Sequence, residues 1–373
     1  MATENNNKNL NVPNLRFPEF SGEWERCALG DITENFSRRN KEEILYPMFS
    51  VTNNKGFIPQ SEQFEDREMV GEDIKAYKII HKDDFAYNPA RINVGSIAKY
   101  NGENPCMISS LYVCFKTTPK IDNDWMMQLL KTPKINFYYN INGEGGVRVY
   151  LFYPNFARIK TSYPTLQEQQ KISSFLSLLD ERIATQIKII EKLESLIKGL
   201  CQKLTQQGNT NTALNECLEC YSSTLQESSV LEAGGYPVYG ATGICGYTDT
   251  PEVNGDSILI IKDGASVGVT YYASGKYSAI GTLNRLIAKG GYSLRYLYYC
   301  LKVFNFAPYR TGLAIPHIYF RDYGKAKIWC PPIEEQNRIA NALEKVEQKI
   351  ATEKSLLEQL YSQKRFLLQA MFI

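Results

Sequence analysis

Histidine is scarce in this sequence, and so are the residue pairs on which many active sites depend. The 373 residues include two histidines, His81 and His317, so a Ser–His or Cys–His catalytic pair is not indicated. Nine cysteines are present, but a single CxxC, at Cys217 and Cys220, falls short of the four ligands that a zinc site needs. We interpret the cysteines as reduced thiols and expect no metal site.

Long apolar runs are missing too. No stretch approaches the ~20 consecutive apolar residues that span a bilayer. Residues 1–10 are rich in asparagine and contain no hydrophobic core of a signal peptide. We therefore expect a cytoplasmic protein with no membrane partner.

Neither sign of charge dominates. Lysine and arginine total 42, aspartate and glutamate total 40, and the formal net charge is +2. Composition alone therefore does not indicate nucleic-acid binding, although basic side chains could still gather on one face of the folded chain.

Two motifs of nucleic-acid enzymes are absent as well. An adenine methyltransferase needs a short Asp/Asn-Pro-Pro-aromatic motif to hold the flipped base. The nearest string, Asn88-Pro89-Ala90-Arg91, lacks the second proline and the aromatic residue, and we interpret it as a turn. No GxxxxGK(S/T) phosphate-binding loop occurs, which argues against an ATP-driven motor. The sequence therefore predicts a protein that is not an enzyme.

The feature that the sequence does contain is an internal repeat. Residues 164–206 and 331–373 align without a gap at a constant offset of 167, and 13 of the 43 aligned positions are identical. Each segment begins with a proline, Pro164 or Pro331, which is favoured in the first turn of a helix. Apolar residues then recur at alternating spacings of three and four, as in a coiled coil. We predict two long helices of about 60 Å each.

The apolar seam of each predicted helix is interrupted at one equivalent position, by Gln186 in the first and by Glu353 in the second. Such helices could pair two chains, but two similar helices within one chain favour antiparallel pairing with each other. The predicted helix-pairing residues are Ile172, Leu176, Leu179, Ile183, Leu193, Leu200, Ile339, Leu343, Val346, Ile350, Leu360 and Leu367.

The segments that precede the two helices also echo each other. Tyr46-Pro47 parallels Tyr236-Pro237, and Ile108-Ser109-Ser110-Leu111 parallels Ile280-Gly281-Thr282-Leu283. Short apolar strands alternate with loops rich in glycine and asparagine, which indicates an α/β fold. We predict globular α/β domains at residues 1–163 and 208–330, separated by long antiparallel helices at residues 164–207 and 331–373, as a pseudo-two-fold internal repeat.

The helix openings carry a resemblance to a known family. The motif Pro-x-(Leu/Ile)-x-Glu-Gln-x-(Lys/Arg)-Ile, at residues 164–172 and 331–339, resembles the repeat of DNA-specificity subunits of Type I restriction-modification systems. The lead-in at residues 15–20, with Trp24 and residues 29–32, is similar to that of the family, and the block at residues 311–316 looks like its recognition-domain signature. The resemblance covers essentially the whole chain.

The resemblance implies a division of labour. This chain would bind double-stranded DNA, each globular domain reading one half of a bipartite target, while the helices set the gap and dock two modification (methyltransferase) subunits. Those partners would bind S-adenosylmethionine, and restriction (translocase/nuclease) subunits would use ATP and Mg, so this chain would need no cofactor. The alternatives are a coiled-coil adaptor or inactive specificity variant that reads no DNA, and a fused enzyme with its own active site.

Base edges are read mostly by arginine, lysine, amide and hydroxyl side chains, and these gather in the glycine-rich loops. Ordinary turn chemistry also explains asparagine, serine and threonine in loops. The candidate DNA-binding residues are Thr52, Asn53, Asn54, Lys55, Arg91, Asn93, Ser96, Ser109, Ser110, Asn142 and Arg148 in the first domain, and Thr242, Lys262, Ser266, Thr282, Asn284, Arg310, Thr311 and His317 in the second.

Overall fold

The computed structural model describes residues 10–63, 74–145, 150–312 and 314–373. Its contacts divide the chain into two compact units. The first unit is Met1–Thr185 with Leu357–Ile373, and the second is Gln186–Leu356. The predicted domain boundaries at residues 163, 207 and 330 remain predictions, since each unit includes part of both long helices.

The first unit contains short strands, short helices and the first part of a long helix. Short 3-10 helices lie at Ile74–Ala76 and Ile92–Val94. The strands and α-helices are β1 (Glu25–Ala28), α1 (Leu29–Ile32), β2 (Thr33–Phe36), β3 (Phe49–Thr52), β4 (Gly56–Pro59), α2 (Gln60–Gln63), β5 (Lys78–Ile80), β6 (Phe85–Tyr87), β7 (Ile97–Lys99), β8 (Cys106–Ile108), β9 (Val113–Thr117), α3 (Asn123–Leu130), α4 (Pro133–Asn142), α5 (Tyr153–Ala157), β10 (Lys160–Tyr163) and α6 (Leu166–Thr205).

The second unit continues from α6 and includes most of the second long helix. Short 3-10 helices lie at Glu227–Ser229 and Ala307–Tyr309. The strands and α-helices are β11 (Thr212–Ala213), α7 (Leu214–Cys217), β12 (Leu218–Ser222), β13 (Tyr236–Gly240), β14 (Gly243–Thr248), β15 (Val253–Asn254), β16 (Ser257–Ile261), β17 (Thr270–Ala273), β18 (Lys276–Ala279), β19 (Leu283–Ala288), α8 (Leu294–Lys302), α9 (Phe320–Tyr323), β20 (Lys327–Ile328) and α10 (Ile333–Ala370).

The two units share one strand topology. The first has an antiparallel sheet of order β2-β9-β6-β7, a β3–β4 hairpin and a β5–β8 pair. The second has the matching order β12-β19-β16-β17, and a sheet of order β14-β13-β18-β15 joins its hairpin to the equivalent of the β5–β8 pair. In each unit a strand just before the first short helix pairs with the strand that leads into a long helix, β1 with β10 and β11 with β20. The internal repeat and the mixed α/β fold predicted from the sequence are confirmed.

Aromatic side chains fill the core of each unit. In the first, Phe85 and Phe115 stack with ring centroids 4.9 Å apart, and Trp125 of α3 is fully buried. In the second, Tyr296 and Tyr299 of α8 are fully buried against the β12-β19-β16-β17 sheet. Burying an aromatic side chain stabilises a fold by about 1.5–3 kcal/mol, so a few such residues hold each short helix on its sheet.

The glutamine of the repeated helix opening has the same role in both units. Gln169 is fully buried; its Nε2 donates to the Pro164 carbonyl at 2.9 Å and its Oε1 accepts from the Asp122 backbone N–H at 2.8 Å. Gln336 donates likewise to the Pro331 carbonyl at 2.8 Å and accepts from the Ser293 N–H at 2.9 Å. Asp122 and Ser293 are the N-cap residues of α3 and α8, so each glutamine ties the start of a long helix to the start of a short one.

The neighbouring glutamate has a different partner in each unit. Glu168 is buried and accepts both Nε and Nη2 of Arg16, at 2.8 and 2.7 Å, from the lead-in segment. Glu335 instead pairs with Arg338 one turn further along its own helix. The lead-in of the first unit is thus held on α6 by a bidentate ion pair.

The long helices α6 and α10 run antiparallel where they pack. In the second unit Gln186 contacts Glu353, while Ile197 and Cys201, further along α6, share a core with Leu343 and earlier residues of α10. Of the predicted helix-pairing residues, Leu193, Leu200 and Val346 are partly buried against that core. The others are buried: Ile172, Leu176, Leu179, Ile183, Ile339, Leu343, Ile350, Leu360 and Leu367.

The two polar residues that interrupt the apolar seams meet each other. Gln186 Nε2 donates to the Glu353 carbonyl at 3.1 Å and to its carboxylate, and both residues are less than a tenth exposed. Lys349, one turn earlier on α10, lies 2.5 Å from the same carboxylate. Hydrogen bonds from Lys349 and Gln186 lower the pKa of Glu353. The Glu353 carboxylate inside the seam therefore accepts one hydrogen bond from each helix, from Gln186 of α6 and from Lys349 of α10.

We expect Gln186→Glu to lower the melting temperature at pH 7, since two carboxylates would then face each other without the amide donor. Repulsion would raise the pKa of one carboxylate in the folded state, so the loss of stability should grow as pH rises through that value and shrink below it. Thermal unfolding followed by circular dichroism between pH 5 and pH 8 measures this. The double variant Q186E/E353Q is the control, because it moves the carboxylate onto α6, where Arg182 stands at the position equivalent to Lys349. A pH-independent deficit, or no recovery in the double variant, would show that the pair does not act as described.

Candidate nucleic-acid interface

The hairpin between β3 and β4 presents three of the candidate residues at its tip. Asn53, Asn54 and Lys55 are exposed in the turn. Thr52 closes that turn, since its hydroxyl donates to the Gly56 carbonyl and accepts from the Lys55 N–H, both at 3.2 Å. Thr52 therefore shapes the tip, while the next three side chains point to solvent.

The loop between β6 and β7 lies beside this hairpin. A Cβ at Gly95, which has φ +97°, would lie 3.4 Å from the Asn53 Cβ. Arg91 is exposed, and Asn93 Nδ2 donates to Asn140 Oδ1 of α4 at 3.0 Å. Ser96 is 3% exposed and its hydroxyl donates to the Val51 carbonyl at 2.7 Å, so it joins loop to hairpin from within. The fold thus brings Asn53, Arg91 and Asn93 together.

The remaining described candidates of the first unit lie in the β8–β9 turn and at the end of α4. Ser110 is exposed in the β8–β9 turn, and Ser109 Oγ accepts from the Leu111 N–H at 3.4 Å. Asn142 ends α4 and donates to the Tyr138 carbonyl at 2.9 Å. Arg148 lies outside the described residues.

In the second unit two loops converge. The loop after β16 meets the segment before α9, because the Ile318 N–H donates to the Lys262 carbonyl at 3.0 Å and Arg310 Nη2 donates to the Val267 carbonyl at 3.1 Å. Thr311 and His317 exchange backbone hydrogen bonds of 2.9 and 2.8 Å. Lys262, Arg310, Thr311 and His317 therefore share one surface, and Ser266 is exposed in the first loop.

The other three candidates of this unit differ in exposure. Thr242 is exposed at the tip of the β13–β14 hairpin. The buried hydroxyl of Thr282 has no hydrogen-bond partner among the described residues, although the Thr282 carbonyl accepts from the Lys262 N–H at 3.0 Å. Asn284 is 6% exposed on β19 and accepts from Ser222 Oγ at 3.0 Å. Asn284 and Ser96 are occupied inside their domains, so we do not include them in the proposed interface.

Four cations of these loops have no acidic partner among the described residues. Within the part of the chain that the structure describes, Lys55, Arg91, Lys262 and Arg310 form no ion pair with a carboxylate. Elsewhere lysines are often paired, as Lys99 is with Asp124 at 2.6 Å. The near-zero net charge therefore conceals unpaired cations at the loop faces.

Sequence reasoning missed Arg321 and Tyr319. Tyr319 lies against the His317 ring with centroids 5.0 Å apart, and the Arg321 guanidinium lies 4.6 Å from the Tyr319 ring centroid. Arg321 has a long ion pair of 3.8 Å to Asp322 and is largely exposed. The available signal was the recurrence of His317, Tyr319 and Arg321 at every second residue. His317 and Tyr319 lie on one side of an extended segment, and Arg321 follows in α9.

The cysteines are free thiols. Burial raises the pKa of Cys106 and of Cys114 to about 12, and it raises the pKa of Cys201 to about 11. These thiols are therefore protonated at neutral pH, a state that neither binds metals nor attacks electrophiles. Among the residues that the structure describes, no helix is long and apolar enough to cross a membrane.

Fold and loops together define a duplicated α/β protein whose two units display equivalent sets of polar loops. Residues 22–195 and 219–362 match the family model of the Type I restriction modification DNA specificity domain, and the chain belongs to this family.

Similar proteins agree with this assignment. The chain is 27% identical over 213 residues to a protein of Methanocaldococcus jannaschii assigned as the MjaX specificity subunit of a type I restriction enzyme. That match covers 54% of this chain and 50% of the relative, so the chain spans about half the length of this curated relative.

Two solved structures have a similar fold. The crystal structure of the Type-I restriction-modification system S subunit from M. genitalium matches with a TM-score of 0.63 and 17% identity, over 97% of this chain and 99% of that one. A chain from a structure on complex assembly and conformational transition of the type I R-M system matches with a TM-score of 0.59 and 17% identity, over 93% and 96% of the two chains.

We expect Asn54→Ala to weaken DNA binding without changing the melting temperature, because Asn54 is exposed and makes no hydrogen bond in the described part of the structure. Ser96→Ala should do the reverse and cost about 1 kcal/mol of folding stability, because its hydrogen bond to Val51 is removed. Thermal unfolding and duplex binding of the two variants test the difference. Equal behaviour in both assays would contradict the separation of surface and buried candidates.

Proposed function

We propose that this chain is a non-catalytic DNA-recognition subunit whose two units each read one half of a bipartite target. The observation that carries the proposal is the repetition of one loop face. The β3–β4 and β13–β14 hairpins, and the loops after β6 and β16, occupy equivalent places in the two units. Each face offers unpaired cations for phosphate or guanine, together with exposed amide or hydroxyl groups.

The proposed target is asymmetric, because the two faces differ in sequence. The first hairpin tip carries Asn53, Asn54 and Lys55, whereas the second carries Thr242 and an exposed Ile244. The polar side chains of the first tip can hydrogen-bond to base edges, and the aliphatic side chain of Ile244 can pack against the methyl group of thymine. Two half-sites met from one side of the duplex would be centred about 34–36 Å apart, and the paired helices would fix that gap.

The proposed partners dock on the outer side of the long helices. On α6, Phe175 is 38% and Leu178 65% exposed, three residues apart on one face, whereas Leu176 and Leu179 are buried. Exposed apolar side chains next to one another are typical of protein interfaces. We assign this surface to a modification subunit, and we expect S-adenosylmethionine on the two modification subunits and ATP with Mg on restriction subunits.

Mapping methylated adenines across a genome that expresses the chain with its modification subunit tests the proposal. We expect a two-part sequence with a fixed gap. Arg91→Ala should relax or abolish one half and Arg310→Ala the other, because each exposed guanidinium belongs to a different unit. Arg158→Ala, at an exposed arginine between α5 and β10 that is not among the candidate residues, is the control and should leave the map unchanged. No methylated motif from a stable complex would instead indicate an adaptor or an inactive specificity variant.

We expect Leu178→Asp to prevent co-purification with the modification subunit while the melting temperature stays near that of the wild type. Leu193→Asp should instead destabilise the chain itself by several kcal/mol, because Leu193 packs against the core of the second unit. Affinity purification through a tag on this chain, with thermal unfolding of each variant, separates the two effects. Normal co-purification of Leu178→Asp would show that the partner docks elsewhere.

A further inference from the structure

A cleft in the first unit is lined by three cations that no described carboxylate neutralises. Arg26 of β1, Lys134 of α4 and Lys160 of β10 surround a space of about 530 Å³. All three are exposed and none forms an ion pair with a described residue. The acidic side chain in the lining, Asp31, accepts from the Ala28 backbone N–H at 2.7 Å. Three cationic side chains and one acidic side chain, Asp31, thus line the cleft.

The second unit contains the equivalent cleft with one cation in place of three. A space of about 410 Å³ is lined there by Lys327, Asn305, Trp329 and uncharged neighbours. Lys327 corresponds to Lys160, since they lie opposite Ala213 and Ala28 in equivalent strand pairs. Counting from the N-caps of α3 and α8, Asn305 corresponds to Lys134, and Asn211 takes the place of Arg26. The shared fold thus forms the cleft in both units, and the cations that distinguish the first unit from the second are Arg26 and Lys134.

The basic surface continues past the cleft. On the other side of Pro133 a second cleft is lined by Lys131, Lys364 and Arg365, with Glu358 as an acidic neighbour. Lys364 forms an ion pair with Asp180, so Lys131 and Arg365 are the cations of this cleft that have no ion pair with a described residue. Burial lowers the pKa of Lys131, the nearby charge of Lys364 lowers it further, and Asp180 acts in the opposite direction. An extended run of cations matches a polyanion better than it matches a single carboxylate.

The position along α4 links the cleft to the recognition loops. Lys134 is the second residue of this helix, and Asn140 near its other end contacts Asn93 of the β6–β7 loop. A ten-residue helix is about 15 Å long, which is within the width of a duplex. A DNA strand read by the loops can therefore extend its backbone to the cleft.

We propose that Arg26, Lys134 and Lys160 form a phosphate-binding site for the DNA backbone flanking the half-site read by the first unit. The proposal rests on the DNA-recognition function inferred above. Because phosphates carry no sequence information, this site would add affinity without changing the target. It would also make DNA binding by the first unit more dependent on salt than DNA binding by the second.

The test is DNA binding by the full chain in its complex with modification subunits, measured by fluorescence anisotropy over a range of salt concentrations. We expect R26Q/K134Q/K160Q to reduce the slope of log affinity against log salt by about two to three, at about 0.9 for each phosphate that the variant no longer neutralises. The reduction should be equal for a target duplex and a random duplex. Lys134→Gln alone should reduce the slope by about one. Lys327→Gln, in the equivalent cleft of the second unit, is the matched control and should leave the slope unchanged.

If the wild-type complex binds DNA and the triple variant has the same salt slope, the phosphate site is overturned and the proposed function stands. Loss of the modification subunit from the purified triple variant also overturns it, because the cleft would then bind an acidic surface of that protein. A wild-type complex that binds neither duplex contradicts the proposed function itself. The three side chains are exposed, so the melting temperature of the triple variant should match that of the wild type.

Discussion

The buried glutamine at the start of each long helix is the contact on which the rest of the architecture depends. Gln169 and Gln336 each satisfy a carbonyl just before a long helix and the free N–H at the cap of a short one. An unpaired buried backbone group costs about 1–3 kcal/mol, so one amide side chain avoids two such penalties in each unit. The short helix in turn holds the aromatic core on its sheet, and the sheet places the loops.

The helix pair adds a second constraint, of a different kind. Most of the seam is apolar, so it could pack against many helices with a similar spacing of apolar residues. Gln186 and Glu353, by contrast, hydrogen-bond to each other, and Glu353 also pairs with Lys349. A polar group inside a coiled-coil seam contributes less to stability than to the choice of partner and register. Equivalent residues of the repeat have diverged here into a donor and an acceptor, which suits pairing between two unlike helices.

Much of this fold could be predicted from the sequence, because the same pattern of apolar residues occurs in both halves of the chain. The 3.5-residue period indicated the long helices, and the short apolar segments between glycine-rich loops indicated strands such as β16. The closing strand pairs β1–β10 and β11–β20 were missed, since partners more than 110 residues apart leave no local signal. Among the candidate site residues, Ser96 and Asn284 could not be recognised as buried from the sequence. The sequence of a loop-rich segment does not show whether a hydroxyl or amide side chain faces solvent or hydrogen-bonds to the protein interior. That depends on which backbone groups lie next to it in the fold.

The glutamine contacts have a consequence for how the chain can change. On the domain side, each glutamine bonds to backbone N–H and C=O groups, at Lys120, Asp122 and Ser293, and to no side chain of a described residue. Backbone groups are the same in every sequence. A recognition domain with entirely different loops, but the same cap geometry, would therefore keep these glutamine contacts without a compensating substitution. The glutamine contacts therefore do not restrict the sequence of the loops. New binding preferences can arise by exchanging whole domains while these contacts to the helices are retained.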